Sequence, residues 1–111
     1  MNKDFRVKKS REIEEILKRK QSVGGPYFTI YKKENHDAIH FRFAVSVSKK
    51  FGNAVERNQL KRRVREIVQS CSFRNNFDFF IITKPAAKTL DFATMKQELE
   101  KLFARAKILE V

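Results

Sequence analysis

Arg57, Lys61 and Arg65 recur every fourth residue, with Asn58 and Arg62 beside them. At 100° per residue this spacing lays the cations along one flank of a helix as a continuous ridge. Between Lys49 and Arg65 there are seven basic residues (Lys49, Lys50, Arg57, Lys61, Arg62, Arg63 and Arg65) against the single acid Glu56, a local charge of +6. A merely solvated helix face intersperses acids with bases, and neighbouring cations at i, i+4 repel one another by a few tenths of a kcal/mol per pair. Arginine dominates here, and its planar fork grips phosphate in bidentate fashion. The chemistry implied is the holding of a polyphosphate chain.

Residues that would break bonds are harder to assemble. His36 and His40 fall in a turn and at a strand start, with no third ligand at metal spacing. Asp4, Asp37, Asp78 and Asp91 are dispersed, so no two-metal nuclease centre is expected. Neither GxSxG, HExxH nor a Walker-type phosphate loop occurs, and Cys71 ends an amphipathic segment as a packing residue. The expectation is no catalytic residue, no metal ligand and no cofactor motif in the protein itself.

The whole composition agrees. A chain of 111 residues carries 25 Lys and Arg against 13 Asp and Glu, a net charge of +12. That exceeds what solubility requires and implies a polyanionic partner. With 41% hydrophobic residues and eleven Phe, the chain is not a disordered basic tail. It reads as one domain over residues 1–111, with no linker or repeat. One cysteine forbids an intrachain disulfide and suits a reducing compartment. The start, Met1 to Lys9, lacks the apolar run of about 7 to 15 residues of a signal peptide, and no stretch reaches the roughly 18 residues of a membrane span. A cytoplasmic protein with no membrane partner is expected.

The elements that must position the ridge follow from periodicity. Ser10 is expected to cap a first helix running to about Lys20, with Ile13, Ile16 and Leu17 as its apolar stripe. Val23-Gly24-Gly25-Pro26 stops it. A strand from Tyr27 to Lys33 sets Phe28 and Ile30 on one face and Tyr27, Thr29 and Tyr31 on the other. A second, from His40 to Ser48, sets Phe41, Phe43, Val45 and Val47 opposite Arg42, Ala44, Ser46 and Ser48. The period then changes from 2 to 3.6: Leu60, Val64, Ile67 and Val68 mark a helix from about Ala54 to Ser70. Phe77 to Thr83 is almost continuously apolar, as expected for a strand buried on both faces or near the sheet centre. A last helix, capped by Asp91 or by Thr94 with Gln97, turns Met95, Leu99, Leu102, Phe103 and Ala106 inward. The predicted fold is α+β, a small two-layer sandwich of order α-β-β(β)-α-β-α. Its helices lie on one side of a mostly antiparallel sheet with a strand-helix-strand crossover. If the strands pair, Tyr27, Thr29 and Tyr31 join Arg42 and Ser46 on a face where aromatic rings can stack single-stranded bases.

The segment Ser46 to Glu66, reading SVSKKFGNAVERNQLKRRVRE, closely resembles the signature of the bacterial ribonuclease P protein subunit. Weaker similarity extends over Phe5-Arg6-Val7-Lys8-Lys9, the two strands at Phe28–Tyr31 and Phe41–Val47, and Lys84-Pro85-Ala86. The resemblance implies a protein that assists a catalytic RNA in removing the 5′ leader of precursor tRNA, with magnesium ions bound by that RNA. It implies catalytic-RNA contacts by Lys50, Asn53, Arg57, Asn58, Lys61, Arg62 and Arg65. It further implies a leader-binding cleft between the first helix and the sheet, lined by Ile13, Leu17, Tyr31, Arg42, Ser46 and Ser48. Two departures stand out: Ile13 and Leu17 occupy positions where the family commonly has phenylalanine, and Gln59 follows Arg57-Asn58 where it often has arginine. The competing reading from the residues is a ribosomal or other structural RNA-binding protein. A nuclease acting unaided is disfavoured by the dispersed carboxylates, and a DNA-binding repressor by the lack of helix-turn-helix spacing.

Overall fold

The computed structural model describes residues 5–110, so Asp4 lies outside the described residues. Three helices, α1 (Ser10–Lys18), α2 (Ala54–Gln69) and α3 (Phe92–Ala106), accompany four strands, β1 (Ser22–Gly24), β2 (Phe28–Glu34), β3 (Arg42–Val47) and β4 (Phe77–Thr83). The strands form one mixed sheet of order β1-β2-β4-β3. β2 runs antiparallel to both β1 and β4, whereas β3 runs parallel to β4. The parallel pair needs a crossover, and α2 supplies it. β4 is therefore central, which is why its sequence is apolar at both parities.

Those two parities have different partners. Phe79 and Ile81 join Phe28, Ile30 and Phe43 in the main core, closed by Leu60, Val64, Ile67 and Val68 of α2 and by Met95, Leu99, Leu102 and Phe103 of α3. Phenylalanine does much of this filling: the Phe79 ring lies 5.7 Å from Phe43 and 4.8 Å from Phe73. Phe80 and Ile82 point the other way, where Ile16 and Val7 are buried and Ile13, Leu17, Tyr31 and Ala44 pack around them. The α+β class and the crossover hold, but the one-sided arrangement of helices does not. α1 lies on the face opposite α2 and α3 and forms a partial third layer, because its stripe of three residues finds the apolar row Tyr31, Phe80 and Ala44 there.

Local details also differ at α1. Lys9, in extended conformation, is the N-cap and makes no side-chain capping bond, so Ser10 is the first helical residue. The helix ends at Lys18, and Lys20 reverses the chain with φ 55°, a left-handed conformation that only a few per cent of non-glycine residues adopt. The chain then forms the short edge strand β1, with Val23 opposite Ile30, before Gly25 turns it. Three residues are too few for a period to register in sequence.

The start of α2 is more tightly built. Asn53 Oδ1 accepts from the Glu56 N–H at 2.9 Å, and Glu56 Oε1 accepts from the Asn53 N–H at 3.0 Å, a reciprocal capping box. The bond from the Asn53 N–H, with Lys88 Nζ 3.1 Å away, holds the Glu56 carboxyl below its usual pKa. A Cβ on Gly52 would come within 2.5 Å of Glu56 Oε1 and drive that side chain out of the box. The glycine preceding Asn53 is thus explained by close approach. Asn53→Ala is expected to destabilise the free protein by about 1 kcal/mol, read as a fall in Tm of about 4–8 °C by thermal unfolding.

Candidate nucleic-acid interface

The ridge forms as expected and is wider than the helix that carries it. Asn58 and Arg62 are exposed on α2, while Arg57, Lys61 and Arg65 are half-buried along its flank. Half-burial of such long side chains lets their aliphatic stems cover apolar surface. Lys50 sits just upstream in a 3-10 turn, Lys49–Phe51, anchored by the buried Phe51. Ser48 caps that turn by accepting from the Lys50 N–H at 3.1 Å. Asn53, exposed, commits its side-chain oxygen to the helix cap, leaving its amide NH2 free to donate.

The structure adds cations that helical spacing could not reveal. Arg6 pairs with Phe43 in a parallel bridge, and the Val7 N–H donates to the Phe43 carbonyl at 2.8 Å, so the amino-terminal segment continues the sheet beyond β3. This sets Arg6 and Lys8 beside Arg65, with Val7 pointing inward. Burial, and secondarily the charge of Arg6, lowers the pKa of Arg65. The buried Nε atoms of Arg6 and Arg57 find no acceptor among the described residues. Cations held this close are suited to an anion that bridges them. The one sequence signal for Arg6 and Lys8 is their alternation with inward Val7.

An open cleft of about 320 Å³ adjoins the ridge, lined by Arg6, Val7, Lys8, Ile13, Phe43, Ala44, Val45 and Arg65. Ile13 of α1 and Arg65 of α2 thus line one hollow. On the sheet floor, register places Tyr31, Phe80 and Ala44 in one row and Thr29, Ile82 and Ser46 in the next. Tyr31, Ser46, Ile13 and Leu17 are all half-buried around this floor. Sequence reasoning missed Val7 as a lining residue of the hollow, and Phe80 and Ile82 as the apolar patch on which α1 packs. Their signal was the apolar character of β4 at both parities, which requires a second covered face.

Arg42 shares the face but is not a free cation. Its Nε and Nη2 donate to Asp78 at 3.2 and 2.8 Å, and Nη2 also donates to Glu12 Oε2 at 2.8 Å. The expected loose cation beside the tyrosines is instead the centre of an ion triad joining β3, β4 and α1. These partners, Asp78 foremost, raise the Arg42 pKa, so it stays charged at every accessible pH.

Other titratable groups have structural employment. His40 stacks on Phe5 with ring centroids 4.0 Å apart, and its Nδ1 lies 2.8 Å from the Phe41 carbonyl. His36 lies 3.5 Å from Glu34 at the surface. Asp91 caps α3 by accepting from the Thr94 N–H at 2.8 Å. Burial pushes the Cys71 thiol up, away from thiolate reactivity. Among the described residues no three His, Cys, Asp or Glu side chains converge to hold a metal, and no helix is long and apolar enough to cross a membrane.

Fold and surface together define a small basic α+β protein of RNA-binding type, with a ridge of cations beside an open cleft. The sequence model of the Ribonuclease P family matches residues 1–107. The ribonuclease P protein component of Acholeplasma laidlawii is 41% identical over 112 residues, covering 99% of this chain and 96% of that protein. A Streptococcus pneumoniae counterpart is 40% identical, covering 99% and 90%. Among solved structures, the RNase P protein of Staphylococcus aureus superposes with a TM-score of 0.87 at 34% identity, covering 96% of this chain and 98% of that one. That of Thermotoga maritima gives 0.81 at 30%, covering 90% and 96%. The chain belongs to the ribonuclease P protein family.

Proposed function

We propose that this chain acts, as a single RNA-binding domain, in the ribonucleoprotein endonuclease that generates the mature 5′ end of tRNA. Its partners in this reading are the catalytic RNA and precursor tRNA. Lys50, Asn53, Arg57, Asn58, Lys61, Arg62 and Arg65 bind the catalytic RNA. The single-stranded 5′ leader lies in the cleft between α1 and the sheet, against Ile13, Leu17, Tyr31 and Ser46, with Ser48 and Arg42 at its margins. The observation that carries this reading is the joining of the two surfaces: Arg65 of the ridge and Ile13 of the cleft face the same hollow.

The physical role follows. Fixed positive charge between two polyanions lowers their repulsion and releases counterions, so the assembly requires less divalent ion. A cleft that holds the leader favours precursor over mature tRNA, promoting substrate entry and product release. The RNA carries out the bond cleavage with its own magnesium ions, and the protein contributes no acid, base or nucleophile. The cytoplasm, where tRNA is made, is the compartment this role requires.

The test is leader release from precursor tRNA by a bacterial ribonuclease P RNA at low magnesium, with and without this protein. Stimulation that requires the RNA, with no cleavage by the protein alone, is expected. Tight RNA binding without stimulation would move the reading to a structural RNA-binding protein.

A further inference from the structure

The ion triad at Arg42 lies where α1 meets the sheet. Arg42 and Asp78 are register partners on β3 and β4, and the Asp78 side chain is only 4% exposed. Two N–H···O bonds to Asp78 fix the plane of the guanidinium, and Asn35 Nδ2 steadies the carboxylate from the β2–β3 loop at 3.3 Å. The Arg42 Nη2 that reaches Asp78 also meets Glu12 of α1. Among the described residues this is the one ion pair between α1 and the sheet. Hydrophobic contact from Ile13, Ile16 and Leu17 attracts α1 to the sheet but is non-directional, so it resists sliding or rotation weakly. The bond to Glu12 supplies direction.

We propose that Glu12, Arg42 and Asp78 form a clamp that sets the position of α1 across the sheet, and thereby the width of the cleft that takes single-stranded RNA. This rests on the leader-binding reading above and deepens it. The three are positioning residues: Arg42 acts on the leader through Glu12 and α1 rather than by gripping phosphate. Ile13, one residue after Glu12, lines the cleft, so a shift of the helix backbone at Glu12 moves the cleft wall directly.

The experiment uses holoenzyme assembled with a bacterial ribonuclease P RNA and compares Glu12→Ala, Glu12→Gln and Tyr31→Ala with the unaltered protein. Glu12→Ala and Glu12→Gln remove the same charge, but only Gln keeps an oxygen that can accept from Arg42. Both leave the Arg42–Asp78 pair in place, so folding is retained. For Glu12→Ala, affinity for precursor tRNA is expected to fall about fivefold, the upper range for a partly exposed ion pair. Affinity for mature tRNA, affinity for the catalytic RNA and the saturated cleavage rate stay unchanged, and Glu12→Gln recovers most of the loss. Equal weakening for precursor and mature tRNA, an unaltered precursor preference, or equal behaviour of the Ala and Gln variants would overturn the clamp. Tyr31→Ala separates the two levels of the argument. If it impairs precursor preference while Glu12→Ala does not, the clamp fails and the cleft stands; if Tyr31→Ala has no effect, the cleft reading fails and the clamp with it.

Discussion

Replacing Arg57, Lys61 and Arg65 together by alanine is expected to weaken binding to the catalytic RNA by about a thousandfold or more near physiological salt, since each charge-assisted phosphate bond contributes on the order of 1.5–3 kcal/mol. The loss should carry an electrostatic signature. Each phosphate contact removed flattens the dependence of log affinity on log salt by about 0.7–0.9, so three lost contacts reduce the slope by about two to three units. Binding titrations at several salt concentrations measure both quantities. Stability of the free protein should move little. Removing the i, i+4 repulsions along the ridge favours the helix by a few tenths of a kcal/mol per pair, and this offsets the lost packing of the half-buried Arg57 stem. A variant that binds weakly while its salt slope is unchanged would show that the ridge does not meet phosphate.

Arg42→Ala is expected to lower folding stability by about 3 kcal/mol at neutral pH, the low end for breaking a buried ion pair because the Arg42 side chain is 25% exposed. The cost arises chiefly at Asp78, whose carboxylate would stay buried with only the Asn35 amide as a side-chain donor. Urea unfolding provides the measurement. Replacing both partners, Arg42→Met with Asp78→Leu, should recover most of the loss, since apolar side chains of similar volume carry no desolvation penalty. A loss below about 1 kcal/mol for Arg42→Ala would mean that water reaches Asp78 and the triad is no more than a surface pair.

How much of this was legible beforehand depends on how local each feature is. The ridge needed only the helical repeat, because Arg57, Lys61 and Arg65 are positioned by their own hydrogen-bonded turns. The bounds of β4 and the inward residues of α3 were equally readable, since each depends on neighbours within a few positions. For the cap of α3 the sequence allowed Asp91 or Thr94, and the structure shows Asp91. Tyr31 and Ser46 were correctly assigned to one face by strand alternation alone. The terminus of α1 was not, because Lys20 adopts a left-handed conformation that glycine usually signals.

By itself, then, the sequence determined a basic α+β chain, its order of elements, and a helix that carries a ridge of cations along one flank. Only the tertiary structure decided which side of the sheet α1 covers, that Arg6 and Lys8 extend the ridge at Arg65, and that Arg42 is a bound strut. The physical reason is the same in each case. A helix or strand period fixes which residues share a face of one element, whereas strand order and register decide which distant faces meet. Glu12, Arg42 and Asp78 are separated by dozens of residues and carry no mutual spacing rule. They become one site because β3 pairs in parallel with β4 and α1 crosses the face where that pairing leaves Arg42 and Asp78 side by side.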